Sequence, residues 1–146
     1  MSDIVSIRRA TAADAEAIVS LVRDANLAVP GVVEHLETFL VAERDLRAVG
    51  AVGLEIRGAD ALLRSAVVSP NARGSGIGTS LVTAVLDLAR GEGVRTVYLL
   101  TTSAQGYWAR QGFTLVSREV VPDDVKRSKE FAGACPASAA AMVRLV

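Results

Sequence analysis

The chain has 146 residues, of which 51% are hydrophobic, and its 16 basic and 16 acidic side chains cancel to a net charge of zero. This length fits one domain, and the hydrophobic content is well above that of a disordered chain. The charge balance argues against nucleic acid or an anionic membrane as a partner, and no apolar run is long enough to cross a bilayer. We therefore expect one globular domain over residues 1–146, with no nucleic-acid or membrane partner.

The cysteine content and the N-terminus favour a cytoplasmic protein. Cys135 has no second cysteine for an internal disulfide, as is usual in a reducing compartment. Residues 1–14 contain Asp3, Arg8 and Arg9 and lack the apolar stretch of a secretory signal. A single cysteine also cannot build the multi-thiolate site that a thiophilic ion prefers. Since no other cluster has metal-ligand spacing, we expect no metal site.

The first half of the chain predicts a strand, a helix and an antiparallel meander. Residues 4–9 read as a strand, and Thr11 is a typical N-cap for a helix that reaches about Asn26. A second, short helix is predicted over residues 33–39. Three strand-like segments with short turns between them follow, which favours a meander; they are residues 39–43, 46–57 and 61–69.

The second half alternates helices and strands. The apolar spacing predicts a helix over residues 76–90, which Gly91 and Gly93 end. The continuous apolar run at residues 94–100 is typical of a strand buried on both faces, parallel to the strand before the helix. The remaining predicted elements are helices over 104–111 and from 122 to about 131, and strands from 113 and over 139–146. The expected fold is α/β (α+β), with one mixed sheet of about six or seven strands and helices on both faces.

The segment over residues 67–79 carries the strongest functional signal. It reads Val-Val-Ser-Pro-Asn-Ala-Arg-Gly-Ser-Gly-Ile-Gly-Thr, a strand that enters a glycine-rich turn which opens a long helix. Glycines permit positive φ and close approach to an anion, and a helix start offers unpaired N–H donors to a pyrophosphate. A P-loop would need a lysine after the glycines, and a dinucleotide fold would need an acidic residue at the end of the next strand. Because both are missing, neither alternative is favoured.

The pattern Val-x-Pro-x-x-Arg-Gly-x-Gly-x-Gly from Val68 to Gly78 resembles the acetyl-CoA motif of the GNAT N-acetyltransferases. The order of segments from Ile7 to Val146 is similar to that fold over nearly the whole chain. The residues around Thr11 and the run from Leu99 resemble the catalytic domain of N-acetylglutamate synthase. Other features, among them Leu62-Leu63-Arg64-Ser65 and the tail around Cys135, resemble small acetyltransferases associated with arsenic resistance.

The resemblance implies an acetyl-CoA-dependent N-acetyltransferase that acts on the amine of a small molecule by direct transfer in a ternary complex. An amino acid or an amino-acid-like antimetabolite is the implied acceptor. The cofactor-binding residues implied by the motif lie on the fourth strand and the loop after it: Ala66, Val67, Val68, Arg73, Gly74, Ser75, Gly76, Gly78 and Thr79. Their N–H groups would face the thioester, the pantetheine arm and the pyrophosphate, and one of them could stabilise the oxyanion.

The catalytic and acceptor-binding candidates follow from the chemistry of the reaction. A protonated amine must lose a proton before it attacks a thioester, and Glu55 is the first candidate base, with Glu119 second. Trp108 stands where GNAT enzymes often keep a tyrosine, so Tyr107 is the candidate acid. Arg8 and Arg64 are candidate carboxylate clamps, and Thr101 and Thr102 could hydrogen-bond a polar acceptor.

Two questions stay open at the level of sequence. The alternative to an enzyme is a non-catalytic acyl-CoA-binding regulatory module, which the missing tyrosine keeps under consideration. A homodimer is compatible with the apolar surface of the late helix and last strand, but the sequence does not decide it.

Overall fold

The computed structural model describes residues 4–146, and their strands form a single mixed sheet. The strands are β1 (Ser6–Arg9), β2 (Phe39–Arg44), β3 (Arg47–Arg57), β4 (Asp60–Val68), β5 (Thr96–Thr101), β6 (Thr114–Val116) and β7 (Ala140–Leu145). Their order across the sheet is β1-β2-β3-β4-β5-β7-β6. Only β4 and β5 run parallel; the other neighbouring strands are antiparallel. The predicted meander, the parallel crossover and the mixed seven-stranded sheet are thus confirmed.

Four α-helices and several shorter helical turns connect the strands. They are α1 (Ala15–Asp24), α2 (Ile77–Gly91), α3 (Gln105–Arg110) and α4 (Asp123–Lys126). Thr11 starts the first helical segment as predicted, because its backbone N–H donates to the Asp14 carboxylate at 2.7 Å in a capping box. The predicted short helix is a 3₁₀ helix over Val33–Thr38. None of the helices within residues 4–146 is long and apolar enough to span a bilayer.

Alternating strand residues bury against helices on the two faces of the sheet. On one face, Leu81 and Val85 of α2 pack with Leu54 and Leu63 of the central strands. On the opposite face, the buried residues of α1 pack with alternate residues of β2, β3 and β4: Ile18, Val22, Phe39, Val41, Ala51 and Val67. This period-two alternation is what a sheet covered on both sides requires.

Two of the sequence predictions need correction. The helix expected from Pro122 to about Phe131 ends at Lys126, and a separate π-helical segment, Glu130–Ala134, follows it. β5 is not equally buried on both faces: Val97 and Leu99 face the α2 core, whereas Tyr98 and Leu100 on the other face are only partly buried. The physical reason is that the short α4 covers this face less completely than α2 covers the other.

Gly53 in β3 makes room for the ring of Phe39, which is fully buried on the neighbouring strand. A Cβ atom at Gly53 would overlap that ring. We expect Gly53→Ala to lower the free energy of unfolding by about 1–3 kcal/mol, the usual cost of overpacking a core. Urea unfolding measures this, and Gly91→Ala at the open end of α2 is the control, where added helix propensity should be neutral or stabilising. Equal stability of Gly53→Ala and the wild type would contradict the prediction.

Candidate active site

β4 and β5 separate from each other partway along their length. They pair only from Asp60 to Leu62 on β4 and from Thr96 to Tyr98 on β5. Beyond these residues β5 continues to pair with β7, and β4 continues to pair with β3 up to Val68. The edges of β4 and β5 that face each other therefore lose their ladder partners, which leaves polar backbone groups available to a ligand.

A bulge in β4 lies at the start of this gap. Val52 of β3 stands opposite both Ser65 and Ala66, and Ser65 takes the left-handed conformation with φ of 60°. A bulge of this kind bends the strand and increases its twist. The bulge therefore turns the end of β4 away from β5.

The glycine-rich turn joins the end of β4 to the start of α2. Gly74 and Gly76 both have positive φ, at 87° and 82°, a region in which glycine is unstrained. The first helical bond of α2 is donated by Ser80 to the carbonyl of Gly76. Within the described chain, the N–H groups of residues 73–79 thus precede the regular hydrogen bonding of the helix and are available to an anion.

A cavity of about 690 Å³ lies between this turn, the end of β4 and α3. It is lined by eight of the nine residues predicted to bind the cofactor: Ala66, Val67, Val68, Arg73, Gly74, Gly76, Gly78 and Thr79. Ser75 does not line it, and its hydroxyl donates to the carbonyl of Ala72 at 3.0 Å. The volume, the apolar walls and the anion-binding turn fit a long ligand with a diphosphate at one end.

A smaller cavity of about 180 Å³ adjoins the first one. The two share Leu27, Ala66, Ser103, Ala104 and Trp108, and hence meet across the gap between β4 and β5. The predicted acceptor-binding residues Thr101, Thr102 and Arg64 all line the smaller cavity, which we call the acceptor cavity. The Oγ1 atom of Thr101 accepts a hydrogen bond from the backbone of Ala104 at 3.0 Å.

Arg64 is fully buried, and each of its three guanidinium nitrogens donates a hydrogen bond within the protein. Its Nη1 donates to Glu55 at 2.7 Å and its Nη2 to the carbonyl of Ala28 at 2.9 Å, while its Nε donates to Ser65 at 3.1 Å. Gly31, with φ of 94°, lies so close to the Arg64–Glu55 ion pair that a Cβ atom there would stand 2.6 Å from Nη1 of Arg64. These bonds hold the guanidinium to the protein, and the role of Arg64 as a carboxylate clamp stays a prediction.

Glu55 is also bound within the protein and lines neither cavity. Besides Arg64, its carboxylate contacts Ser128 at 2.9 Å, Arg57 at 3.1 Å and His35 at 3.3 Å, and it is only 1% exposed. Burial alone would raise the pKa of Glu55, but the hydrogen bond from Arg64, the charge of His35 and the other contacts outweigh it and lower the pKa. These contacts do not favour Glu55 as the base next to the thioester, and that role stays a prediction.

Arg8 lies on β1, at one edge of the sheet, in a separate group of ion pairs. Its guanidinium donates twice to Asp14 at 2.8 Å and once to Glu43 at 2.7 Å. The hydrogen bond from Arg8 holds the pKa of Asp14 well below its usual range. Arg8 lines neither cavity, and its role as a carboxylate clamp stays a prediction that these contacts do not favour.

Tyr107 and Trp108 are neighbours on α3 with different environments. Trp108 is buried and packs edge-to-face against Phe113, with ring centroids 5.5 Å apart. Tyr107 lines the larger cavity, and its hydroxyl lies near Gly78, 3.5 Å from where a Cβ of that glycine would be. Tyr107 thus brings a hydroxyl group to the wall of the larger cavity. Its role as the general acid stays a prediction.

Glu130 is a candidate residue that the sequence analysis missed. It is 6% exposed, begins the π-helical segment and lines the acceptor cavity. Burial raises the pKa of Glu130 to about 7, with the negative charge of Glu55 adding to the effect and Arg64 opposing it. In the sequence Glu130 reads as a solvated residue near a helix end, and no local pattern indicates its burial.

Cys135 lies in the same cavity wall and is half-buried. Burial raises the pKa of the thiol to about 11, so it is protonated at neutral pH and is a poor nucleophile. Across residues 4–146, no three histidine, cysteine or carboxylate side chains are grouped as metal ligands would be.

The fold and the site together define a domain that opens two adjoining cavities at a break in its sheet. The chain belongs to the acetyltransferase (GNAT) family, whose model matches residues 7–113.

Two named enzymes of Neisseria are similar to this chain. The amino-acid acetyltransferase of Neisseria meningitidis is 29% identical over 138 residues, which cover 87% of this chain and 31% of that protein. The structure of N-acetylglutamate synthase from Neisseria gonorrhoeae, complexed with coenzyme A and L-arginine, is 26% identical with a TM-score of 0.82 and covers 99% of this chain and 34% of that one. This chain thus spans about a third of the length of these relatives.

A solved structure of similar length also matches. Rv2747 from Mycobacterium tuberculosis, in complex with CoA, is 27% identical with a TM-score of 0.80. The match covers 97% of this chain and 99% of that one. Hence a similar fold exists as a chain of about this length.

Proposed function

We propose that this protein transfers the acetyl group of acetyl-CoA to the amine of a small molecule, with amino acids as the acceptor class. The observation that carries the proposal is the pair of cavities that meet where β4 and β5 separate. One is lined by the glycine-rich turn, and the other is small and includes several polar side chains in its wall. Membership of the acetyltransferase family and the similarity to an amino-acid acetyltransferase support the same reading.

The larger cavity is suited to hold acetyl-CoA. The N–H groups of residues 73–79 would receive the diphosphate at the start of α2, where the helix dipole favours negative charge. The edge of β4 at Ala66 and Val68 would hydrogen-bond the amide-like pantetheine arm. Acetyl-CoA supplies an activated thioester, and a backbone N–H at this edge would stabilise negative charge on its oxygen.

The acceptor cavity is suited to a small, polar amine. Its volume of about 180 Å³ is on the scale of a single amino acid, and Thr101, Thr102 and Ser103 place hydroxyls at the end of β5. Since Arg64 is engaged with Glu55, a carboxylate of the acceptor would be held by these hydroxyls and by backbone N–H groups rather than by a guanidinium. Tyr107 lines the wall of the larger cavity and would give a proton to the leaving thiolate.

The test is release of free thiol from acetyl-CoA in the presence of each of the twenty standard L-amino acids, together with calorimetric titration of CoA. We expect CoA to bind and at least one amino acid to support catalytic turnover. Tight binding of CoA without turnover for any amine would favour a non-catalytic acyl-CoA-binding module. Stronger thermal protection by ATP or NAD than by acetyl-CoA would instead favour a nucleotide-binding domain.

A further inference from the structure

Glu130 provides a carboxylate where the acceptor amine would lie. Among residues 4–146, it is the one carboxylate in the walls of the two adjoining cavities. It stands on the π-helical segment after α4, opposite the polar end of β5. The backbone N–H of Glu130 donates to Ser128 Oγ at 3.2 Å, and Ser128 donates in turn to Glu55. The segment is therefore anchored to the buried ion pair, which holds Glu130 in place.

The charges around Glu130 leave it free to exchange a proton. Arg64 faces it from β4, but the contact from Nε is long, at 3.5 Å, and the shorter bonds of Arg64 go to other partners. Glu55 faces it from β3, and Cys135 lies at the other end of its own segment. Burial and the negative charge of Glu55 raise the pKa of Glu130, and the positive charge of Arg64 lowers it. The resulting pKa of Glu130 is about 7. General bases act best when their pKa is close to the working pH.

We propose that the carboxylate of Glu130 removes the proton from the ammonium group of the acceptor, an inference that rests on the proposed acetyl transfer. The carboxylate takes one proton and becomes a carboxylic acid, and the free amine keeps its lone pair. The amine nitrogen forms a C–N bond to the acetyl carbon while the C–S bond breaks and its electron pair leaves on sulfur. The nitrogen then loses a second proton as the thiolate takes one up. Glu130 returns its proton to solvent, so the net reaction releases one proton.

The central variant is Glu130→Gln, which keeps the shape and removes the base. With the best amino-acid acceptor from the panel of twenty, we expect kcat/KM near neutral pH to fall about 100-fold. In the wild type kcat/KM should rise with pH through an apparent pKa near 7, because only ionised Glu130 accepts a proton, and Glu130→Gln should lack this rise. Glu130→Asp should recover part of the rate and the pH dependence. The matched control is Glu16→Gln, an exposed carboxylate on α1 outside both cavities, which should be unchanged.

A weakly basic amine separates catalysis from structural support. Aminoacetonitrile is largely unprotonated at neutral pH and needs no base before attack. We therefore expect Glu130→Gln to cost less than about tenfold with this acceptor, after subtraction of the uncatalysed rate. Equal losses with the amino acid and with aminoacetonitrile would overturn the inference, because a purely structural role would affect both alike.

The free protein provides a readout without turnover. The pKa of Glu130 in the folded protein, about 7, lies above its ordinary value of 4.5. Between these two pH values the folded state therefore binds more protons at Glu130 than the unfolded state does. The stability of the wild type should therefore fall as pH rises from about 4.5 to 7, and Glu130→Gln should lack this decrease. Thermal melts over this range measure it, and parallel profiles for the two proteins would count against a raised pKa and overturn the inference.

The failure of this inference differs from the failure of the proposed function. If the wild type turns over an amino acid and Glu130→Gln does so equally at every pH, only the role of Glu130 is overturned. If the wild type binds CoA but acetylates no amine, the proposed transfer and the role of Glu130 are overturned together.

Discussion

Glu55→Gln is expected to lower the free energy of unfolding by about 3–5 kcal/mol, the usual effect of removing one partner of a buried ion pair. Arg64 has a fully buried side chain, so without Glu55 its charge would lose its closest counter-ion at 2.7 Å. Arg64 and Ser128 contact one carboxylate oxygen and His35 and Arg57 the other, and glutamine would keep only one acceptor oxygen for these partners. For a domain of this size, the loss corresponds to a decrease of about 10–16 °C in Tm.

Chemical denaturation of Glu55→Gln and of a matched exposed variant measures this effect. Asp87→Asn breaks an ion pair with Arg90 whose side chains are 69% and 45% exposed, and it should change stability by less than about 0.5 kcal/mol. The double variant Glu55→Gln/Arg64→Met should be less damaging than Glu55→Gln alone, because no lone charge then remains buried. If Glu55→Gln were as stable as Asp87→Asn, the ion pair would not be what holds these elements together.

The Glu55 variant also bears on catalysis. At a temperature where it stays folded, Glu55→Gln should still bind CoA, because Glu55 lines neither cavity. Any loss of turnover should follow the displacement of Ser128 and Glu130 and should retain the pH dependence of the wild type. If Glu55→Gln lost that pH dependence with Glu130 still in place, the result would favour Glu55 as the general base.

Gly76→Val is expected to weaken CoA binding about a hundredfold, or ~2.7 kcal/mol. Gly76 stands directly before α2 with φ of 82°, and a β-branched residue strongly disfavours this conformation. In the free protein a side chain at Gly76 would meet no atom within 4 Å, so the strain is in the backbone and not in the packing. A valine would turn the N–H groups of the loop away from the diphosphate.

Gly58→Val is the matched control for the loop. Gly58 also has positive φ, at 67°, and also has open space around its Cβ position, but it lies in the hairpin turn between β3 and β4. Both variants should lose similar stability, and only Gly76→Val should lose CoA affinity in calorimetric titration. Similar CoA affinities for the two variants would mean that the turn before α2 does not bind the diphosphate.

The conformation of the glycine-rich loop and most of the fold could be predicted because their signals are local. A strand, three alternate glycines and an amphipathic helix are adjacent in the chain from Val67 to Arg90, and the local geometry follows from residue type. The meander likewise follows from short turns between β2, β3 and β4. The helix after Pro122 was predicted too long, because its end depends on how residues 127–134 pack under the sheet and not on their propensity.

The sequence by itself determined the family, the mixed sheet and the glycine-rich loop that we propose binds the coenzyme, since each depends on residues close together in the chain. Only the tertiary structure decided which charged side chains line the smaller cavity and which partners they have. Glu55 and Arg64 neutralise each other, Arg8 pairs with Asp14, and Glu130 is brought into the cavity from a segment 75 residues after Glu55 in the numbering. The reason is physical: the proton affinity of a carboxylate depends on burial and on charges from distant elements, and neither is encoded in its immediate neighbours.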